Sequence, residues 1–361
     1  MNDALPSLRQ AWPLPAAMRP IVIIGAGGIV NDAHLPAYRQ AGLPVAGVFD
    51  IDPTRARELA DRWDLPTVYA SLEDALAQRE AVFDLATPPA AQMATLNHLP
   101  IGAAVLIQQP FGLDLADAAQ RLGVCHERRL TASVNFQLRY APMMLALRDA
   151  LERGLLGQLL DVEVHVNLAT PWHLFPQLKA NDRVEIVSHS IHYLDLIRGL
   201  MGDPGHVKAG SYRQPGSGLA DTRTTALLDF DSDLRCTLSI NHHHDFGRRF
   251  QDALLRFEGS EGAAVVKLGL LLNYPDGEPD ELWLCRKGSE WQQVPLQGAW
   301  FPEAFIGSMA NLQRFASGED EQLETAVDDA WHTMALVEAC YHSGATPGTP
   351  VPRAPSRLVS G

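Results

Sequence analysis

The run IVIIGAGGIVNDAHLPAY, residues 21–38, limits the possible folds more than any other part of the chain. It opens with a short, continuous apolar run, the pattern of a strand covered on both faces. A glycine-rich turn and a helical stretch follow without a break. The same grammar then repeats. Strands over 44–50, 82–87, 103–108 and 130–136 alternate with helical segments such as 53–63 and 114–128. Pro53 suits the first turn of its helix. Strand–helix repetition of this kind predicts a parallel, doubly wound α/β sheet.

Past Arg139 and Tyr140 the pattern changes. A helix over 143–154 leads to a strand over 159–168 with period-two alternation. An irregular aromatic stretch, TPWHLFPQLKANDR, precedes a helix over 185–202. Closely spaced strand segments follow at 205–212, 222–230, 234–244, 253–260, 262–269 and 281–286. Strands without intervening helices indicate an open, mainly antiparallel sheet. A last helix over 325–344 precedes a tail, about 345–361, rich in proline, serine and glycine and expected to be extended or mobile. The expected organisation is α/β plus α+β: a nucleotide-binding domain over 1–139 and an α+β domain over 140–361.

A formal net charge of −14 argues against a nucleic-acid or anionic-membrane partner. No apolar run approaches membrane-spanning length. The start MNDALPSLRQAWPLPAAMRP lacks the basic opening and apolar core of a secretory signal. Cys125, Cys236, Cys285 and Cys340 are scattered, with no Cys-x-x-Cys pair, as expected for reduced thiols in a cytoplasmic protein.

Gly25-x-Gly27 sits directly between a strand and a helix. Glycines there let the backbone turn sharply and approach a pyrophosphate, which amides at the helix start, around Gly28 and Ile29, then bind. The third position of this fingerprint is Val30 rather than Gly or Ala. Asp50 ends the second strand, where a carboxylate accepts hydrogen bonds from an adenosine ribose and repels a 2′-phosphate. NAD is therefore the expected cofactor. Arg55 and Arg57 nearby keep NADP open.

With these elements in place, the sequence resembles the Gfo/Idh/MocA oxidoreductases, which include glucose–fructose oxidoreductase and inositol 2-dehydrogenase. The resemblance runs through IVIIGAGGIVNDAHLPAY, VFDIDPTRARELA, FDLATPPAAQ, VLIQQPFGLDLADAA, VNFQLRYAP, EIVSHSIHYLDLIRGLMG and TAVDDAWHTMALVEACYHS. It implies an N-terminal Rossmann domain and a C-terminal α+β domain. The open sheet of the latter often forms the subunit interface, which implies a homodimer or homotetramer. Members usually oxidise a sugar or cyclitol hydroxyl with NAD(P), and some reduce aldoses or imines. The family's Glu-Lys-Pro motif falls on Gln108, Gln109 and Pro110, so its lysine, which normally touches the reacting oxygen, is Gln109 here. The family's Asp-x-x-x-His falls on Ser188 and His192, so the histidine is kept and the acid is not. Thr87, Pro88 and Pro89 match the loop that covers the dinucleotide, with Gln92 in place of a common histidine.

Hydride transfer from an alcohol needs a base for the hydroxyl proton and donors for the developing alkoxide. On a regular helix Ser188 and His192 share one face, and His189 borders it. His192 is the candidate base, with Gln109 and His189 binding the substrate oxygen. Asp195, one turn on, is placed either to orient His192 or to hydrogen-bond structurally. Trp172 and His173 suit stacking on a sugar ring, or form a hydrophobic plug. Arg139 is either a substrate contact or an interdomain ion pair. Consecutive histidines 242–244 invite a metal, but alternate strand positions put only two on one face, too few for zinc. No metal is expected, and His242 reads as a packed core residue.

The expectation is an NAD(P)-dependent oxidoreductase acting on a sugar, sugar lactone or cyclitol. Two alternatives follow from the missing lysine: an NAD-binding sensor without turnover, and a redox-assisted hydrolase or lyase that recycles bound NAD.

Overall fold

The computed structural model describes residues 5–352. A parallel sheet is built from β1 (Ile21–Ile24), β2 (Val45–Phe49), β3 (Val82–Leu85), β4 (Ala104–Ile107) and β5 (Thr131–Val134), in the order β2-β1-β3-β4-β5. The central strands are buried on both faces, as their unbroken apolar runs require. The helices are α1 (Leu35–Ala41), α2 (Pro53–Trp63), α3 (Leu72–Leu76), α4 (Pro89–Leu96) and α5 (Leu115–Glu127). Pro53 opens α2 as expected, and the Asp52 carboxylate caps it by accepting from the Thr54 amide.

The helix α6 (Pro142–Glu152) leads into an eight-stranded sheet. Its strands are β6 (Leu159–Asn167), β7 (His206–Tyr212), β8 (Arg223–Asp229), β9 (Arg235–Asn241), β10 (Asp252–Gly259), β11 (Gly262–Lys267), β12 (Glu281–Arg286) and β13 (Gln292–Val294). Their order is β13-β12-β11-β10-β6-β9-β8-β7, and every pairing is antiparallel except β6 with β9. Alternating burial along β6, β8 and β9 turns one face of this sheet to the core. Between β6 and β7 lies α7 (Ile191–Met201), entered through a wide π-turn, Ile186–Ser190.

Two further helices complete the chain, α8 (Glu303–Ala316) and α9 (Val327–Ala345). The sequence does not announce α8, because it is buried almost all round, polar Ser308, Asn311 and Gln313 included. Both helices return to the parallel sheet: α8 packs on α1, β4 and β5, and α9 on α5 and β5. The layers over that sheet are thus drawn from both ends of the chain. The expected tail begins where α9 stops; residues 346–352 carry no helix or strand, and 353–361 lie outside the described residues.

Arg139 fastens the turn after β5 to α7 and α9. From the short turn after β5 its guanidinium reaches both oxygens of Asp195 on α7, at 2.6 and 2.7 Å, and the Asp329 carboxylate at the start of α9, at 2.7 Å. The ion-pair alternative for Arg139 therefore holds. Its donors are committed inside the protein, so the expected substrate contact is not what this residue provides. Replacing Arg139 by alanine would strand Asp195 without its cation in the core. We expect Arg139→Ala to lose about 3–5 kcal/mol of stability, read as a drop in the denaturation midpoint. A loss under 1 kcal/mol would contradict this role.

Candidate active site

At the carboxyl edge of the parallel sheet, Gly25 has φ +112°, and a Cβ there would lie 2.6 Å from the Ala86 carbonyl oxygen. Only glycine lets β1 and β3 close at this turn. At Gly27, by contrast, a Cβ would meet nothing within 4 Å, and at Gly28 only Asp32 at 3.9 Å. That open shelf precedes the helical turn that begins at Val30, as a pyrophosphate site requires. The Asp50 carboxylate accepts from the amides of Ala26 (2.7 Å) and Asp52 (2.8 Å). Each oxygen keeps a second lone pair for a ribose hydroxyl. Arg55 leans on Asp52 at 3.5 Å. Across the edge, the Thr87 hydroxyl and the Gln109 side-chain oxygen are shielded from solvent and without a partner. Shelf, carboxylate and unpartnered polar atoms together fit a dinucleotide. Pro88 is exposed beside Thr87, at the start of α4.

Gln92 does not face that shelf. It is fully buried, donates to the carbonyls of Thr87 (3.1 Å) and Gln108 (2.8 Å), and accepts from Arg121 at 2.7 Å. Its expected cofactor contact is therefore corrected: it ties the two loops of the edge together from behind. Gln108 is held too, its side-chain oxygen accepting from the Asn135 amide at 3.0 Å. Asn135 in turn accepts from Ser308 and lies 3.4 Å from His34 Nε2. His34 Nδ1 and the Tyr38 hydroxyl both reach Asp84 Oδ2, at 2.7 and 2.8 Å.

From His34 a chain of ring contacts leads to the second half of the site. His34 touches Phe305, which touches Phe301, then Trp300, whose edge meets His192 with centroids 6.2 Å apart. The π-turn replaces the regular helix expected over 185–190. Its extra residue per turn is a feature found at functional sites. Here both His189 and His192 present Nδ1 atoms that are shielded from solvent and unpartnered. The Trp300 indole nitrogen is likewise unpartnered. His189 lies between Trp172, at 5.1 Å, and His242, at 4.5 Å between centroids. Burial drives His189 down to about 4, and burial plus the neighbouring His189 drives His192 down to about 3. Both rings are neutral at pH 7, because burial disfavours their charged forms.

Other expected residues fall differently. Asp195 does not orient His192, because Arg139 and the Thr333 hydroxyl (2.9 Å) occupy it. Ser188 is half-buried in the π-turn; His173 is exposed in the loop beyond Trp172. His242 continues the inward face of β9 and is buried, as expected, but it also forms a wall behind His189. Among the described residues, no three His, Cys, Asp or Glu side chains converge as metal ligands. Sequence reasoning missed Glu185, Trp300 and the Asp84–His34 pair. A charge inside an apolar run, in VFDLA or VEIV, was the available signal, since buried carboxylates need built partners. Two open surface grooves, of about 560 and 570 Å³, share none of the site's side chains; one runs past His206 and His332, the other past Leu115 and Trp331.

Two predictions test this geometry. Gly25→Ala should cost about 1–3 kcal/mol and abolish the thermal shift given by NAD; an unchanged shift would contradict the shelf. The histidines set an acid limit. Below the ordinary histidine value of 6.5 the unfolded chain takes up protons that the folded site refuses until about 4 and 3. Stability therefore falls as pH drops through that window. Glu185, pushed up to about 7 by burial, opposes this between pH 4.5 and 7. His192→Asn should remove about one proton from the linkage and flatten the Tm profile between pH 6.5 and 4; an unaltered slope would count against a neutral, shielded His192.

Residues 19–136 match an oxidoreductase family with an NAD-binding Rossmann fold, and residues 144–265 match the GFO/IDH/MocA C-terminal domain. A D-apiose dehydrogenase of Paraburkholderia graminis is 26% identical over 334 residues, covering 89% of this chain and 86% of its own. An oxidoreductase from Agrobacterium radiobacter, solved with NAD+, L-tartaric acid and magnesium, superposes with a TM-score of 0.75 at 22% identity, over 91% of this chain and 97% of that one. A levoglucosan dehydrogenase, solved with NADH and levoglucosan, gives a TM-score of 0.76 at 16% identity, over 91% and 98%. None of the helices among the described residues is long and apolar enough to cross a membrane. The chain thus belongs to the GFO/IDH/MocA oxidoreductase family and carries its NAD-binding Rossmann domain.

Proposed function

We propose that the protein is a dehydrogenase acting on one hydroxyl of a sugar, sugar lactone or cyclitol, with the proton handled by neutral imidazoles instead of a lysine. One observation carries this reading: Gln109, His189 and His192 each hold a solvent-shielded polar atom without a partner. Such atoms are costly unless a ligand completes them. The relatives named above act on or bind polyhydroxylated molecules, which supports the substrate class.

His192 takes the hydroxyl proton at Nδ1, being uncharged at pH 7. The unpartnered Gln109 side-chain oxygen accepts from a neighbouring substrate hydroxyl, while the Gln109 NH2 and His189 donate to the oxygen on which negative charge develops. NAD+, when bound at the shelf through Gly27, Gly28, Ile29, Asp50, Thr87, Pro88 and Gln108, supplies the hydride acceptor. Asp50 favours NAD over NADP, because both its oxygens already serve the turn and a 2′-phosphate would meet their charge. Trp172 walls the sugar side, with His173 and Ser188 at its margin. The free cysteines suit the cytoplasm, and the outward face of the eight-stranded sheet suits pairing into a homodimer or homotetramer.

A panel of sugars, lactones and cyclitols with NAD+, followed at 340 nm, should find a substrate. His192→Ala should then lower kcat by about 10²–10⁴-fold, with NAD affinity kept. Gln109→Ala should cost about 10²–10³-fold. NAD binding without turnover of any panel member would overturn this reading in favour of a sensor.

A further inference from the structure

We propose that Glu185 and His242 form a buried couple that holds one proton behind His189 and tunes its basicity, supplying the carboxylate–imidazole pairing that Ser188 cannot. This rests on the reading of His189 as a site residue. Glu185, at the entry to the π-turn, has no solvent exposure. Its Oε1 accepts from the Ser190 hydroxyl at 2.7 Å, and its Oε2 accepts from the Thr224 hydroxyl of β8. The free lone pair of Oε1 lies 3.6 Å from His242 Nε2, an atom shielded from solvent and otherwise unpartnered. His242 Nδ1 and the Thr170 hydroxyl are 2.7 Å apart, which occupies Nδ1 and leaves Nε2 as the ring nitrogen that faces Glu185. The His242 ring in turn packs on the His189 ring, tilted by 45°. The Trp172 indole locks this stack by donating to the His242 carbonyl at 2.9 Å.

The surroundings supply no strong cation. Among the described residues, no Lys or Arg pairs with Glu185, and His242 is its one ionisable partner. Asp221 accepts from the Val184 and Glu185 amides through Oδ1 and adds a second negative charge nearby. Tyr193 of α7 and Cys340 and Tyr341 of α9 also face the carboxyl, all neutral at pH 7 and pushed upward by burial. Burial raises Glu185 to about 7, against its two hydroxyl donors, while burial and His189 depress His242. A proton therefore leaves or joins this couple near neutrality, moving between Oε1 and Nε2 with no other bond changed. When the couple is anionic, its charge favours an imidazolium on His189; when it is neutral, that support is lost.

Imidazole nitrogen resonances of the intact protein, followed by NMR from pH 5 to 9, test the couple without any substrate. His242 and His189 should shift together with one midpoint near 7. Glu185→Gln should erase that midpoint and remove the matching limb from the pH profile of kcat/KM, with NAD affinity unchanged. Thr224→Val, which deletes one donor to the carboxylate, should raise the midpoint, and it serves if Glu185→Gln does not fold. Resonances that stay still between pH 5 and 9, or move alike in wild type and both variants, would overturn the couple. Because this titration needs no turnover, failure to find a polyol substrate leaves its outcome readable. Loss of turnover in His192→Ala with a silent Glu185 would remove only this inference.

Discussion

The geometry of the site depends on one buried ion pair. Arg139 leaves the last strand of the parallel sheet and grips Asp195 on α7 with two nitrogens and Asp329 on α9 with one. Burying Arg139 and Asp195 is costly unless the geometry satisfies them, and here the guanidinium fork meets the Asp195 carboxylate face on. The consequence is positional. α7 carries His192 and continues the π-turn that carries His189, so fixing Asp195 fixes the segment that carries both imidazoles. Gln92 and Arg121 do the same for the opposite wall, joining the Thr87 and Gln108 loops from beneath.

Between those walls the chemistry is neutral. Burial strips the proton from His189 and His192, and Gln109 and Ser188 carry no charge. A neutral site depends more on shielding and fixed dipoles than on net charge, which agrees with its enclosure by Trp172, His242 and Trp300.

Much of this was legible in the sequence. β1, β3 and β4 are continuous apolar runs, and period-two alternation in β6 and β9 foretold the second sheet and the inward His242. Gly25 at its tight turn was also legible, since only a glycine suits its φ of +112° and its approach to Ala86. What stayed hidden depends on three-dimensional neighbours. The π-turn leaves no periodic mark in five residues, α8 hides its register because both faces are buried, and Gln92 reads as a cofactor contact until Arg121 arrives from α5. Arg139 was ambiguous for the same reason: its partners lie 56 and 190 residues away.

The most direct test of the account is a ternary crystal structure with NADH and a sugar lactone at neutral pH. It should place one substrate oxygen within about 3.2 Å of His192 Nδ1 and of the Gln109 amide, with the sugar ring against Trp172. A ligand bound elsewhere, with water completing those atoms, would contradict it.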